Sequence, residues 1–181
     1  MEKRAYVLDF LPTGWPSDRN FSRESVALAL GEDEFKLLEI LIKPNAKVSP
    51  GDRLTLPPTE SPSVAVEHVK RRLSFQDLTT SARSELPHAI EAIIESYPEK
   101  FLRFFNEAQA ITRRFHMLEL LPGVGKKSMD TIVRERVKAP FSSFADLEAR
   151  VKIRSPQKLI VARIEQELSG EEEKYRIFVP R

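Results

Sequence analysis

The sequence predicts a two-domain α+β protein. A small β-barrel over residues 1–76 precedes an α-helical domain over residues 77–170, and a last strand over 171–181 returns to the barrel. Three observations carry this reading. Short apolar-rich runs separated by Pro and Gly fill roughly the first sixty residues. The apolar period becomes helical near Asp77. The positive charge is concentrated in one stretch, although 29 Lys+Arg against 27 Asp+Glu leave a net charge of only +2. A chain of 181 residues, 41% apolar, buries roughly 70% of the surface its unfolded form exposes, so its core needs no metal or disulfide. The absence of Cys excludes disulfide scaffolds, thiol catalysis, thiolate zinc sites and iron–sulfur clusters.

The barrel strands are predicted over residues 5–11, 25–30, 35–43 and 53–57, punctuated by Pro12-Thr13-Gly14-Trp15-Pro16, by Gly31-Glu32-Asp33 and by residues 47–52. Short strands at this spacing fit a small barrel. The stretch Val48-Ser49-Pro50-Gly51-Asp52-Arg53-Leu54 resembles the turn, Gly-Asp and strand found in OB-like and SH3-like barrels. Residues 64–75 offer a further strand, although Val66, Val69 and Leu73 also suit a helix. Tyr6, Phe10 and Trp15 have the chemistry of a base-stacking platform, and equally that of core residues. No apolar run approaches the length of a membrane span, and Met1-Glu2-Lys3-Arg4 leads into no signal-peptide core. The expected compartment is the cytoplasm, with no membrane partner.

In the helical part, Leu86, Ile90, Ile93 and Ile94 share one face, with Pro87 suited to a first helical turn. Phe101, Leu102, Phe104 and Phe105 follow Pro98 and read as core. Amphipathic helices are predicted over 111–121 and 126–138. Ser143 and Asp146 form a capping box for a helix through Val151. Ser155-Pro156 supplies the cap and first-turn Pro for a helix over 157–168 that ends at Gly170. After the acidic Glu171-Glu172-Glu173 turn, residues 175–179 supply the returning strand.

Residues 113–163 carry 12 basic and 5 acidic side chains, while the rest of the chain is slightly acidic. Such concentration is the electrostatic footprint expected for a polyanion. Within it lies Leu121-Pro122-Gly123-Val124-Gly125-Lys126-Lys127, where one predicted helix must turn into the next within a few residues. Val124 can tuck between the helices, while Gly123 and Gly125 lack a Cβ and let a ligand reach the main chain. The unpaired N–H groups that open the second helix then face outward with its partial positive charge, which is an anion site. Lys126 and Lys127 add long-range attraction. A nucleotide P-loop does not fit, since Leu120 stands where the first Gly is needed and Lys127 where Ser or Thr is needed.

This segment resembles the helix-hairpin-helix nucleic-acid-binding motif, in which a hydrophobic residue precedes Pro-Gly-hydrophobic-Gly and a helix with fixed apolar offsets. Leu121 to Gly125 matches in full and Ile132 fits the downstream position, while Met129 stands where Ala is commonest. The motif would span 112–138, with a degenerate second hairpin over 147–168 that lacks the glycines and turns at Ile153-Arg154-Ser155-Pro156. Together with Phe104-Phe105-Asn106 and Pro140-Phe141-Ser142-Ser143-Phe144, the chain resembles a small uncharacterised archaeal family of predicted RNA-binding proteins. There, an OB-like barrel precedes a helix-hairpin-helix unit. The resemblance implies binding, RNA in preference to DNA, and assigns no reaction.

The function expected is therefore non-enzymatic nucleic-acid binding through the phosphate backbone, with weak sequence preference. The binding set is Gly123, Val124, Gly125, Lys126 and Lys127, helped by Arg113, Arg114, Arg134, Lys152, Arg154 and Lys158. No catalytic residue, cofactor or metal is expected. His68, His88 and His116 are scattered, with no pair at metal-ligand spacing. Two alternatives stand beside this reading. One is a DNA glycosylase or lyase using Lys127 as nucleophile and Asp146 to orient or deprotonate. The other is a docking module for an acidic protein surface.

Overall fold

Pro12 follows the first strand and Gly31 closes the second, as the punctuation places them. The computed structural model describes residues 1–16, 24–58, 61–171 and 174–180. Five antiparallel strands, β1 (Arg4–Leu11), β2 (Val26–Gly31), β3 (Leu37–Ile42), β4 (Arg53–Thr55) and β5 (Val66–Arg72), form one sheet in the order β4-β1-β2-β3-β5. The first four are in Greek-key order. Residues 64–75, open between strand and helix in the sequence, contribute strand β5. The sheet curls as a half-barrel, sharpened by register shifts in β1 between Val7 and Asp9 and in the β3–β5 pair. At its open side the N–H of Ser63 donates to the Thr55 carbonyl at 3.0 Å, and the Thr55 N–H donates to Ser63 Oγ at 2.8 Å.

Alternate residues of the strands, Ala5 and Val7, Ala27 and Ala29, Leu38, Ile40 and Ile42, meet Leu54, Leu56 and Val66 in a single buried cluster. The central strands are covered on both faces, since all six residues of β2 and all six of β3 are buried. Buried acids tie the sheet at its margins. Glu2 accepts the N–H groups of Asp33, Glu34 and Lys36 at 2.7, 2.9 and 3.1 Å, and so fastens the β2–β3 turn in which Phe35 holds a left-handed φ of +56°. Glu39, 1% exposed, pairs with Arg71 at 2.8 Å.

Five helices follow among the described residues: α1 (Thr80–Ser96), α2 (Pro98–Glu107), α3 (Lys126–Lys138), α4 (Phe144–Val151) and α5 (Pro156–Ser169). Thr79 caps α1: its hydroxyl accepts the Ala82 N–H at 3.0 Å and donates to Asp9 at 2.6 Å. Pro87 therefore lies inside α1 and not in its first turn, whereas Pro98 does open α2. Gly170, with φ of +81°, follows the last residue of α5. Two compact units result, one of residues 1–90 with 167–181 and one of residues 91–166. Among the described residues no helix is long and apolar enough to cross a membrane.

Two predicted elements are replaced. The helix expected over 111–121 is instead a hairpin of β6 (Ala110–Thr112) and β7 (Phe115–His116), followed by a single 3₁₀ turn, Met117–Leu120. The cause is local. Thr112 Oγ1 accepts the Arg114 N–H at 3.2 Å, and His116 starts a new turn: its Nδ1 accepts from the Leu118 N–H at 3.1 Å while Glu119 accepts the His116 N–H at 2.8 Å. Pro122 then keeps Leu121 extended, so only one turn fits. The strand expected over 171–181 is also absent among the described residues there. The N–H groups of Ile177, Phe178 and Val179 donate at 2.8, 3.0 and 2.9 Å to the carboxylate of Glu167, which is 0% exposed, and so cannot join a ladder. Glu172 and Glu173 of the acidic turn lie outside the described residues.

Candidate nucleic-acid interface

The bend between the 3₁₀ turn and α3 is built from Leu121 to Gly125. Leu118, Leu120 and Leu121 anchor its near side in the core, and Val124, 6% exposed, fills the inside of the turn. Val124 donates its N–H to the Leu121 carbonyl at 3.0 Å. Gly123 takes φ of +86°, the left-handed conformation that favours glycine. Gly125 is different: its backbone suits any residue, and a Cβ there would meet nothing within 4 Å. The Gly125 carbonyl accepts the Met129 N–H at 2.9 Å, but no acceptor among the described residues takes the N–H of Gly125, Lys126, Lys127 or Ser128, and no side chain caps the helix. A helix of thirteen residues thus presents open amides with about half a positive charge. Helix α5 backs the bend, with Leu159 Cδ2 3.9 Å from the Cβ position of Gly123 and Arg163 donating to the Leu120 carbonyl at 3.3 Å.

The basic side chains of 113–163 divide in two. Arg136 donates to the Phe105 and Ala108 carbonyls at 3.0 and 2.8 Å, Arg150 binds Asp146 at 3.1 Å, Lys138 pairs with Glu135, and Arg163 is spent on Leu120. The other eight, Arg113, Arg114, Lys126, Lys127, Arg134, Lys152, Arg154 and Lys158, are exposed, and none has an ion-pair partner among the described residues. These eight are the cations named from sequence. The acids are mostly consumed internally: Glu119 by His116, Glu135 by Lys138 and Arg150, Asp146 by Ser142 and Arg150, Glu148 by the Ser155 N–H. Setting these four cations and four acids aside leaves eight free cations against the exposed Asp130, so the positive excess of this stretch stands on its exposed side chains.

Placement is uneven. Lys126 and Lys127 open α3 at the bend, and Lys158 precedes the Leu159 that packs beside Gly123. Arg134 lies two turns along α3 on the Lys127 side. Lys152 closes α4 with φ of +61°, and Arg154 sits in the α4–α5 turn. This turn occupies the place of the expected second hairpin. Arg113 and Arg114 ride on the β6–β7 turn, apart from the bend along the chain.

A family model described as "Protein of unknown function (DUF655)" matches residues 1–180. The chain belongs to the DUF655 family. It is 38% identical over 179 residues to the uncharacterized protein MJ0038 of Methanocaldococcus jannaschii, covering 98% of this chain and 80% of that protein. Its fold is similar to the crystal structure of Af1531 from Archaeoglobus fulgidus, a DUF655 protein, with a TM-score of 0.90 at 46% identity over 99% of this chain and 100% of that one.

In this DUF655 chain the Asp146 carboxylate is engaged by its own helix and the residue before its cap. It takes the Ser142 N–H at 3.0 Å and pairs with Arg150, and these partners, the Ser142 amide first, hold it below the usual carboxylate range. The capping box is offset by one residue, since Ser143 accepts from the Asp146 N–H while Asp146 reaches back to Ser142. Nothing in the geometry favours Lys127 and Asp146 as a nucleophile and its partner.

His116, which sequence inspection leaves without a role, holds the turn that feeds the bend. Its Nδ1 must be unprotonated to accept the Leu118 N–H. Burial, then the charge of Arg136, pushes its pKa below the ordinary 6.5, against a smaller opposing effect of Glu119. The folded state therefore binds fewer protons than the unfolded state below neutrality, and stability falls as pH drops from the ordinary value through the lowered one. Urea melts at pH 5 and pH 7.5 should show this loss, and His116→Gln should flatten it. An unchanged pH slope in the variant would remove His116 as the cause.

Proposed function

We propose that this chain is a non-enzymatic nucleic-acid-binding protein, with RNA preferred over DNA, that holds phosphates at the Gly123–Lys127 bend with weak sequence preference. The bend then works as a helix-hairpin-helix type site whose leading helix is reduced to a 3₁₀ turn, and the half-barrel acts as an OB-like module. The observation that carries this reading is the set of acceptor-free amides at the start of α3, flanked by Lys126 and Lys127, in a stretch whose unpaired side chains are overwhelmingly cationic. The preference for RNA rests on the family resemblance and the barrel, because phosphate gripping serves both polymers.

The test is titration of labelled structured RNA, single-stranded RNA and duplex DNA. With three or four phosphates neutralised, log affinity should fall against log salt with a slope of about −2 to −4. Gly125→Ala is the decisive variant, since its methyl group enters free space and strains no backbone, yet occupies the approach of a phosphate to the main chain. Gly123→Ala adds a left-handed penalty of about 1–2 kcal/mol and serves as the second substitution. A folded Gly125→Ala chain should bind at least about tenfold more weakly, a difference of about 1.4 kcal/mol. Wild-type-like binding by that chain defeats the bend as the site. Displacement of RNA by polyglutamate as readily as by an RNA competitor would instead favour docking to an acidic protein.

A further inference from the structure

The unit of residues 1–90 and 167–181 carries a half-open pocket of about 370 Å³. That lies at the small end of ligand sites, which run from roughly 300 to 1,000 Å³. Its exposed lining is mostly polar, with Ser74, Gln76, Glu167 and two arginines, Arg72 and Arg176, beside the ring of Phe75. The arginines are the unusual part. Elsewhere in the sheet Arg53 is paired with Glu32 and Arg71 with Glu39, but Arg72 and Arg176 have neither an acceptor nor an ion partner among the described residues.

On this wall the carboxylate of Glu167 sets one negative charge against the two arginines. Its oxygens are turned onto the N–H groups of Ile177, Phe178 and Val179, and by holding that main chain it fixes the position of the neighbouring Arg176. Phe35 is held at φ of +56° while only 1% exposed, a conformation costly for a bulky side chain that the Glu2-bound turn maintains. Two planar guanidinium forks match an oxyanion with several acceptor oxygens better than a single carboxylate. A phosphomonoester carries about −1.5 to −2 charges near neutrality and has an oxygen for each guanidinium. The half-buried ring of Phe75 beside such a site suits a flat, apolar-faced body.

We propose that this pocket binds a phosphomonoester carried on a planar body of nucleotide size, with Arg72 and Arg176 on the phosphate and the body on the Phe75 side. This site is independent of the α3 bend. Its source is either a free nucleoside monophosphate or the phosphorylated end of a strand.

Isothermal titration and amide chemical-shift mapping of the full chain with AMP, adenosine, inorganic phosphate, and an oligoribonucleotide with and without a 5′-phosphate distinguish these. AMP is expected to bind and to shift amides at residues 72–76 and 176–179, while adenosine does not. Arg72→Ala and Arg176→Ala should each weaken AMP at least tenfold, and Lys127→Ala should leave it unchanged. Arg72→Lys, which keeps the charge and the fold but loses the fork, should weaken it severalfold. A 5′-phosphate that strengthens oligonucleotide binding only when Arg72 and Arg176 are intact assigns the strand end as a source, and its lack of effect assigns the free nucleotide. The proposal is overturned if AMP gives no response, if adenosine matches AMP, or if a folded double arginine variant binds AMP like the wild type.

Discussion

Gly31→Ala is expected to destabilise the protein by about 3–5 kcal/mol, lowering its melting temperature by roughly 10 °C or more for a chain of this size. The backbone there is ordinary strand, so the penalty does not come from conformation. A Cβ at position 31 would lie 2.1 Å from the Glu2 side-chain carboxyl carbon, which must then leave the three N–H groups of the β2–β3 turn. Each charge-assisted bond lost is worth about 1.5–3 kcal/mol, offset by water at the partly exposed turn. A double-mutant cycle checks the mechanism. In a Glu2→Ala background, Gly31→Ala should cost less than about 1 kcal/mol, because the side chain it displaces is already gone. Additive losses in urea melts would refute the coupling.

Glu167→Gln should be the second large effect, about 3 kcal/mol, with loss of hydrogen-exchange protection at Ile177, Phe178 and Val179. The substitution keeps shape and volume. It replaces one of two acceptor oxygens with an NH₂ group facing main-chain donors, so at least one buried N–H loses its partner. The local segment can relieve part of this by detaching, which also exposes Val179, 2% exposed in the native state. Protected amides at 177–179 in the variant would show that the segment is held by something else.

The first four strands were legible because turn residues separate them, Pro12 after β1, Gly31 at the end of β2 and Pro50-Gly51 before β4, and because their apolar residues are small or branched. Helix α3 matches its predicted span of 126–138, and the Ser143 cap behaved as read, apart from its offset partner. The failure at 111–121 has a definite origin. Ile111, Phe115, Leu118 and Leu121 keep three- and four-residue spacings in a hairpin followed by a 3₁₀ turn just as they would in a helix, so apolar period alone could not separate the two. The His116-x-x-Glu119 pair was the available signal, unseen because His is an uncommon cap. Glu2, Glu39 and Glu167 were invisible for another reason: glutamate is ordinarily a surface residue. Of the candidate site, the concentration of cations and the tight bend could be read locally, whereas the commitments of Arg136, Arg150 and Arg163 depend on acceptors supplied by folding.

Lys152 ends α4 in a conformation where a side chain is a handicap and glycine would be at ease. Occupying that corner with lysine gives up some durability of the fold and gains a flexible four-carbon tether ending in a solvent-facing ammonium. On the proposed reading, such a compromise marks the α4–α5 corner as a place where reach toward a partner has been favoured over a more economical turn.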